Sequence, residues 1–188
     1  GRFDKDRKPL PGKLAFSRDL FVLLFLLRGM PFVDLAFLRR CDLQGNVITY
    51  HRRKTSRKLT VVVGKEAMEI IQKYMYTIPD SPYLFPIIQN PGKDEYGQYA
   101  RMLRLQNYRL TQVANILGIR DRLSTYTARH TWATTALRQN YNSSLICDAM
   151  GHSSVKVTET YFQPYRDDEV NRMNSSLITY ILEEKGDR

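Results

Sequence analysis

Cysteine is scarce in this sequence. Cys41 and Cys147 are the only two in 188 residues, and neither stands in a CxxC or Cys/His arrangement at zinc spacing. A disulfide-stapled secreted domain and a structural zinc module are therefore not expected, and a reducing compartment is. Long apolar runs are also lacking. The longest, Leu20–Leu27, has eight residues, far short of the roughly 20 needed to cross a bilayer. No membrane partner is expected, and nothing at the start reads as a signal segment. Walker loops, dinucleotide glycine fingerprints, HExxH motifs and nucleophile elbows are missing. Gly12-Lys13 and Gly92-Lys93 lack the upstream glycine and the following Ser/Thr of a phosphate-cradling loop. Paired carboxylates suited to two-metal chemistry are not apparent either. Acidic residues are the minority, 19 Asp and Glu against 29 Lys and Arg, for a net charge of +10. That surplus points to an acidic polymer, with nucleic acid ahead of an anionic membrane.

What is present suffices for a globular core. Hydrophobic residues make up 43% and aromatics 11%, which argues against disorder and fits one sizeable domain. Residues 1–13, GRFDKDRKPLPGK, are charged and carry two prolines, and read as a linker or as the edge of a longer chain. Leu14–Leu27 is densely apolar and predicts a buried helix. Arg28-Gly29 interrupts it, and a second helix over Pro31–Arg40 turns Phe32, Leu35, Ala36 and Leu38 inward, with Arg28 at the corner. Val47–Tyr50 and Leu59–Val63 are β-branched and aromatic, and predict a hairpin whose tip, His51–Lys58, is strongly cationic. Six of the eight tip residues are Arg, Lys or His, so the tip repels itself unless anions lie nearby. Helices are expected over Lys65–Tyr76 and Tyr96–Leu117, separated by an irregular Pro79–Pro91 connection anchored by Tyr83, Leu84 and Phe85. Further helices run from Ser124 or Thr125 to Gln139 and from Ser143 or Ser144 to Met150. The second of these has Leu145, Ile146, Ala149 and Met150 apolar, and Gly151 supplies its left-handed stop. Val170, Met173, Leu177, Ile178 and Ile181 mark an amphipathic helix within 166–188. The fold class is mainly α with a small antiparallel β-hairpin or sheet (α+β).

The stretch Thr125–Tyr165 holds the chemistry. Arg129 lies at a helix start, His152 follows Gly151 in a turn, and Tyr161 comes nine residues after that histidine. Tyrosine can form a covalent phosphate ester, while Arg and His can stabilise charge on phosphate oxygens. Metal-free phosphoryl transfer needs in addition a proton donor for the leaving oxygen. The hairpin lysines are available for it, and Arg28 adds a further cation for the phosphate. His130 is read as bracing its helix, Trp132 as core or supporting packing, and His51 as solvated or facing DNA.

Ala128-Arg129-His130-Thr131, Met150-Gly151-His152 and Thr158-Glu159-Thr160-Tyr161 together resemble the catalytic domain of tyrosine recombinases, the phage-integrase family. That family carries an HxxR box, a Leu-Gly-His turn and a nucleophilic tyrosine nine residues after the turn's histidine. Lys54, in RRKT, matches its hairpin lysine. The resemblance runs from about Leu14 to Tyr165, and residues 14–165 are taken as the catalytic domain. Two departures stand out. Tyr126 replaces the first histidine of the HxxR box, and a tyrosine hydroxyl titrates near about 10, too high for a proton shuttle at neutral pH. Pro31 occupies the place of the family's first arginine, three residues before Asp34, and Arg28 at the helix corner is assigned that role instead. This RGMPFVD form is similar to recombinases of bacterial mobile or invertible elements.

The resemblance implies a two-step transesterification of double-stranded DNA without metal, ATP or other cofactor. Tyr161 would attack the scissile phosphate to give a 3′-phosphotyrosyl bond and a free 5′-hydroxyl. Arg28, Arg129 and His152 would hold the non-bridging oxygens, with Tyr126 beside them and Lys54 as the general acid. Arg52, Arg53, Arg57 and Lys58 would contact backbone phosphates, giving salt-dependent affinity without sequence choice. It further implies a bacterial cytoplasmic, nucleoid-associated enzyme and a separate N-terminal DNA-binding domain in the full-length protein. Assembly into a tetrameric synapse would exchange the C-terminal helix between protomers. The alternatives are a type IB topoisomerase-like enzyme, which would relax supercoils alone, and a DNA-binding module that has lost catalysis.

Overall fold

The computed structural model describes residues 10–154, 156, 158 and 171–177. Helix α1, Gly12–Leu26, is apolar around most of its circumference because it is covered on several sides. It packs on α3 (Lys65–Tyr74), α4 (Glu95–Leu117) and α5 (Thr125–Arg138). Leu20, Leu23 and Leu24 are wholly buried there. Asp19 is the polar tie on this helix. Burial alone would raise its carboxyl pKa, but hydrogen bonds from Lys73, Tyr74 and Arg18 outweigh burial and hold it below the usual range. Buried Gln106 of α4 adds a second tie, donating to the Ser17 carbonyl at 2.7 Å.

The chain leaves α1 through two consecutive left-handed residues, Arg28 (φ 60°) and Gly29 (φ 66°). The corner expected at Arg28 is therefore present. Helix α2 that follows spans only Phe32–Ala36, with Pro31 as its N-cap rather than within its first turn. It stops short of the expected Arg40 because the backbone over 38–40 is taken by another partner. Leu84 N–H donates to the Leu38 carbonyl at 2.8 Å and Arg40 N–H to the Pro82 carbonyl at 2.9 Å. The same pairing seats Tyr83, Leu84 and Phe85 in the core, as the sequence predicts.

Strands β1 (Leu43–Gln44), β2 (Val47–His51) and β3 (Lys58–Val62) form an antiparallel sheet in the order β1-β2-β3. The predicted hairpin is there, with Tyr50 opposite Leu59 and Ile48 opposite Val61. The short β1 strand was not expected from the sequence. Ile48, Tyr50, Leu59 and Val61 turn one face of the sheet inward and join the main core. Helix α6, Ser143–Met150, packs on α5 through a small second cluster of Ala133, Ile146 and Met150. Its N-cap is Asn142, whose side chain accepts from Ser144 N–H. Of the apolar residues of α6, Leu145 is exposed, at 57%. The predicted left-handed stop at Gly151 is found, with φ 64°. The expected class, mainly α with a small antiparallel sheet, is the observed one.

Leu24 sits where α1 meets its neighbours and is wholly buried. Leu24→Ala should cost about 2–5 kcal/mol of unfolding free energy, measured by urea titration. A loss under about 1 kcal/mol, no more than a typical point substitution costs, would contradict the packing described.

Candidate active site

Helix α5 opens with a capping box in which Ser124 accepts from Thr127 N–H and Thr127 Oγ1 accepts from Ser124 N–H. This fixes the first turn, so Tyr126 and Arg129, three residues apart, face the same way. Both line a cavity of about 380 Å³ together with Pro31, Arg52, Lys54 and His152. Tyr126 is exposed there, at 59%, whereas Arg129 is buried.

Arg129 is held by three contacts from two separate parts of the chain. Its Nη1 donates to the Gly29 carbonyl, and its Nη2 donates to the Met150 carbonyl at 3.0 Å. Nη2 also lies 2.6 Å from His152 Nε2. The Gly29 backbone packs so closely on α5 that an added Cβ would come within 3.1 Å of the Arg129 Cα. Glycine is thus required at position 29 for its positive φ and for the space.

His152 follows from this geometry. Its Nε2 faces a guanidinium that has only donors, so Nε2 is the acceptor and the ring proton sits on Nδ1. Nδ1 then donates to Thr158 Oγ1 at 2.7 Å. Burial, and the charges of Arg129, Arg52 and Lys54, push the imidazole pKa down to about 4. The Nε2 of His152 is thus turned to Arg129.

The hairpin tip is bound to the turn that carries His152. Arg52 Nη1 donates to the Gly151 carbonyl at 2.7 Å, and Thr55 Oγ1 to the same oxygen at 3.3 Å. Arg57 donates to the His152 carbonyl at 3.3 Å and to Asp148 at 3.0 Å. Each of these acceptors lies at the negative end of α6, so the tip's self-repulsion is relieved within the chain. A Cβ on Gly151 would come within 2.8 Å of both the Arg52 side chain and Leu59, so a larger residue at this already left-handed position would have to displace them.

Several expectations about individual cations change as a result. Arg52 was expected among the DNA-facing tip residues. It is 6% exposed, with its Nε paired to buried Asp34 at 3.5 Å. Asp34 also accepts the Arg53 N–H at 3.0 Å, yet burial still raises its carboxyl pKa. Arg53 stacks over Phe37, its guanidinium carbon 3.8 Å from the ring centroid. Arg57 is committed to α6, and Lys58 is exposed at the start of β3. Arg28 is not brought into the cavity. Its left-handed backbone sends the guanidinium to the Thr60 carbonyl on β3, at 3.2 Å. It lines a second pocket instead, with Trp132 and Leu145. Lys54 does lie at the cavity and is exposed. Tyr161 lies outside the described residues, as do Val170, Ile178 and Ile181. His130 is exposed, and Trp132 packs against the small α5–α6 cluster.

Sequence reasoning missed the inward face of Arg52, although a signal existed. Ile48, Tyr50 and Arg52 alternate at a period of two, so Arg52 continues the buried face of β2.

The phage integrase family profile matches residues 9–167. The chain is 32% identical over 179 residues to a tyrosine recombinase of Pseudothermotoga lettingae, covering 91% of this chain and 58% of that protein. It is 26% identical over 167 residues to tyrosine recombinase XerC of Thermodesulfovibrio yellowstonii, covering 81% of this chain and 52% of that protein. The chain thus spans a little over half the length of these relatives. Among solved structures, XerA recombinase superposes with a TM-score of 0.59 at 19% identity, over 89% of this chain and 64% of that one. XerH site-specific recombinase bound to its difH substrate gives 0.60 at 17%, over 90% and 49%. At these identities the structural likeness speaks for the fold.

The His152 ring should titrate with a midpoint near 4, read from its imidazole carbon resonances by NMR. Unfolded, the ring binds its proton near about 6.5. Its contribution to stability is therefore complete above that value and is lost as pH falls from there towards the folded midpoint. An ordinary midpoint would contradict the Arg129–His152 contact.

Proposed function

The chain belongs to the phage integrase family, and on that footing we propose that it is the catalytic part of a site-specific DNA recombinase. The single observation that carries this reading is the convergence of Arg129, His152, Lys54 and Tyr126 on one open cavity from three distant parts of the chain. The Tyr161 hydroxyl attacks the scissile phosphorus and loses its proton to water, forming the O–P bond of a 3′-phosphotyrosyl link. The bond from phosphorus to the 5′-oxygen breaks, and Lys54 gives that oxygen its proton. A 5′-hydroxyl from a partner strand then attacks the same phosphorus, returning a proton to Lys54, and releases the tyrosine, which regains its own proton from water. Phosphate ester is exchanged for phosphate ester, so the bond energy is retained without ATP. Arg129, oriented by neutral His152, neutralises the non-bridging oxygens in the crowded transition state. Tyr126 borders the cavity as a hydroxyl donor.

Thr158 supports Tyr161 as the nucleophile. It is buried and bonded to His152, and Tyr161 follows it by three residues. Three residues of chain span at most about 11 Å, within reach of the cavity.

Double-stranded DNA is the partner that the charge of +10 fits. Arg53 and Lys58, exposed on the hairpin, contact its backbone, and Arg57 does so from the edge of α6. Self-assembly draws on a second feature. Trp132, Ala136, Leu145 and Ile146 line an apolar pocket between α5 and α6, while residues 171–177 are helical with Met173 and Leu177 exposed. We read that segment as docking in the pocket of a neighbouring protomer within a tetrameric synapse. The full-length protein would carry a further N-terminal domain on the opposite face of the DNA.

The test uses nicked suicide duplexes tiling the DNA on both sides of the protein's own gene. The full-length protein should leave a covalent adduct on a denaturing gel. Tyr161→Phe should abolish the adduct while DNA binding persists; unchanged cleavage in that variant would sink the reading.

A further inference from the structure

Two non-bridging oxygens share the charge that builds up when a phosphodiester is attacked, and one guanidinium does not cover both well. Arg129 spends Nη1 on the Gly29 carbonyl, and Nη2 on the Met150 carbonyl and His152. Pro31, at the start of α2, forms part of the cavity wall and brings no charge to it. Arg28, just before that helix, turns away to Thr60. The cavity nevertheless contains a second buried guanidinium, that of Arg52.

Arg52 is held firmly and left incompletely satisfied. Its Nη1 donates to the Gly151 carbonyl, while its Nε faces Asp34 at 3.5 Å, with neither Nε nor the Asp34 Oδ2 in a hydrogen bond. Among the described residues Nη2 has no acceptor. A guanidinium buried beside Arg129 and near Lys54 is costly unless an anion completes its shell. Here one carboxylate faces two arginines, and its pKa is raised by burial. The local balance is short of negative charge where a phosphate would sit.

We propose that Arg52 is a catalytic residue, donating from its guanidinium edge to a non-bridging oxygen of the scissile phosphate opposite Arg129. Asp34 and the Gly151 carbonyl hold the fork in place for that contact, much as Gly29, Met150 and His152 hold Arg129. The assignment rests on the recombinase reading above. It places the second phosphate cation just past the end of β2, two residues before Lys54, so that the hairpin tip supplies both a phosphate clamp and the general acid.

The test compares two substrates. The scissile position is first mapped with the unaltered full-length protein on the tiled suicide duplexes. A matched duplex then carries a methylphosphonate there, in which a methyl group replaces one charged non-bridging oxygen. Arg52→Ala should slow cleavage of the ordinary phosphodiester about 10²-fold or more. On the methylphosphonate the ratio of unaltered to variant rates should collapse towards one, because the charge that Arg52 answers has gone. Arg52→Lys is run alongside; it keeps the charge beside Asp34 but lacks the fork, and should show an intermediate deficit with the same rescue. An equal deficit on both substrates would assign Arg52 to the fold alone, and no deficit would remove it from the site; either overturns the proposal. No adduct from the unaltered protein on any duplex would overturn the recombinase reading itself, and this assignment with it.

Discussion

The guanidinium of Arg129 is the interaction on which the rest depends. A buried arginine must place its donors, and this one places them on the Gly29 carbonyl, the Met150 carbonyl and His152. These acceptors lie 100, 21 and 23 residues away in sequence. One side chain thereby ties the α1–α2 corner, the α5 start and the α6 end into a single site. The two glycines at these junctions are needed for the same reason. Gly29 lets the corner approach α5, and Gly151 lets the hairpin approach the end of α6.

The hairpin is the second half of that construction. Its positive charge is spent on the negative end of α6 and on Asp34 and Asp148, rather than left wholly to solvent. The same contacts carry Lys54 to the cavity edge. A surface pair such as Arg57–Asp148 is worth little alone, but it acts with buried bonds from Arg52 to the same turn. Position, more than stability, is what these bonds provide.

Much of this was legible in the sequence. The apolar density of Leu14–Leu27, the β-branched runs around the cationic tip, and the Gly151 stop all led to the observed elements, because each is a local property of pattern and turn chemistry. The spacing of Arg129, Gly151-His152 and Tyr161 pointed to the family. What was not legible depends on direction. Arg28 sits at the predicted corner, yet a left-handed backbone turns its side chain to β3. The second helix ended early because 38–40 found a backbone partner some 40 residues away. Arg52 looked like one more tip cation until its strand parity placed it inside. His152 became an acceptor only once Arg129 stood against it.

The central claim is that this cavity supports covalent attachment of DNA through a tyrosine. Tandem mass spectrometry of the nuclease-trimmed, trypsin-digested adduct tests it most directly. The account predicts a nucleotide joined through its 3′-phosphate to Tyr161. Attachment to a different residue, Tyr126 included, or a linkage through the 5′-phosphate, would contradict it.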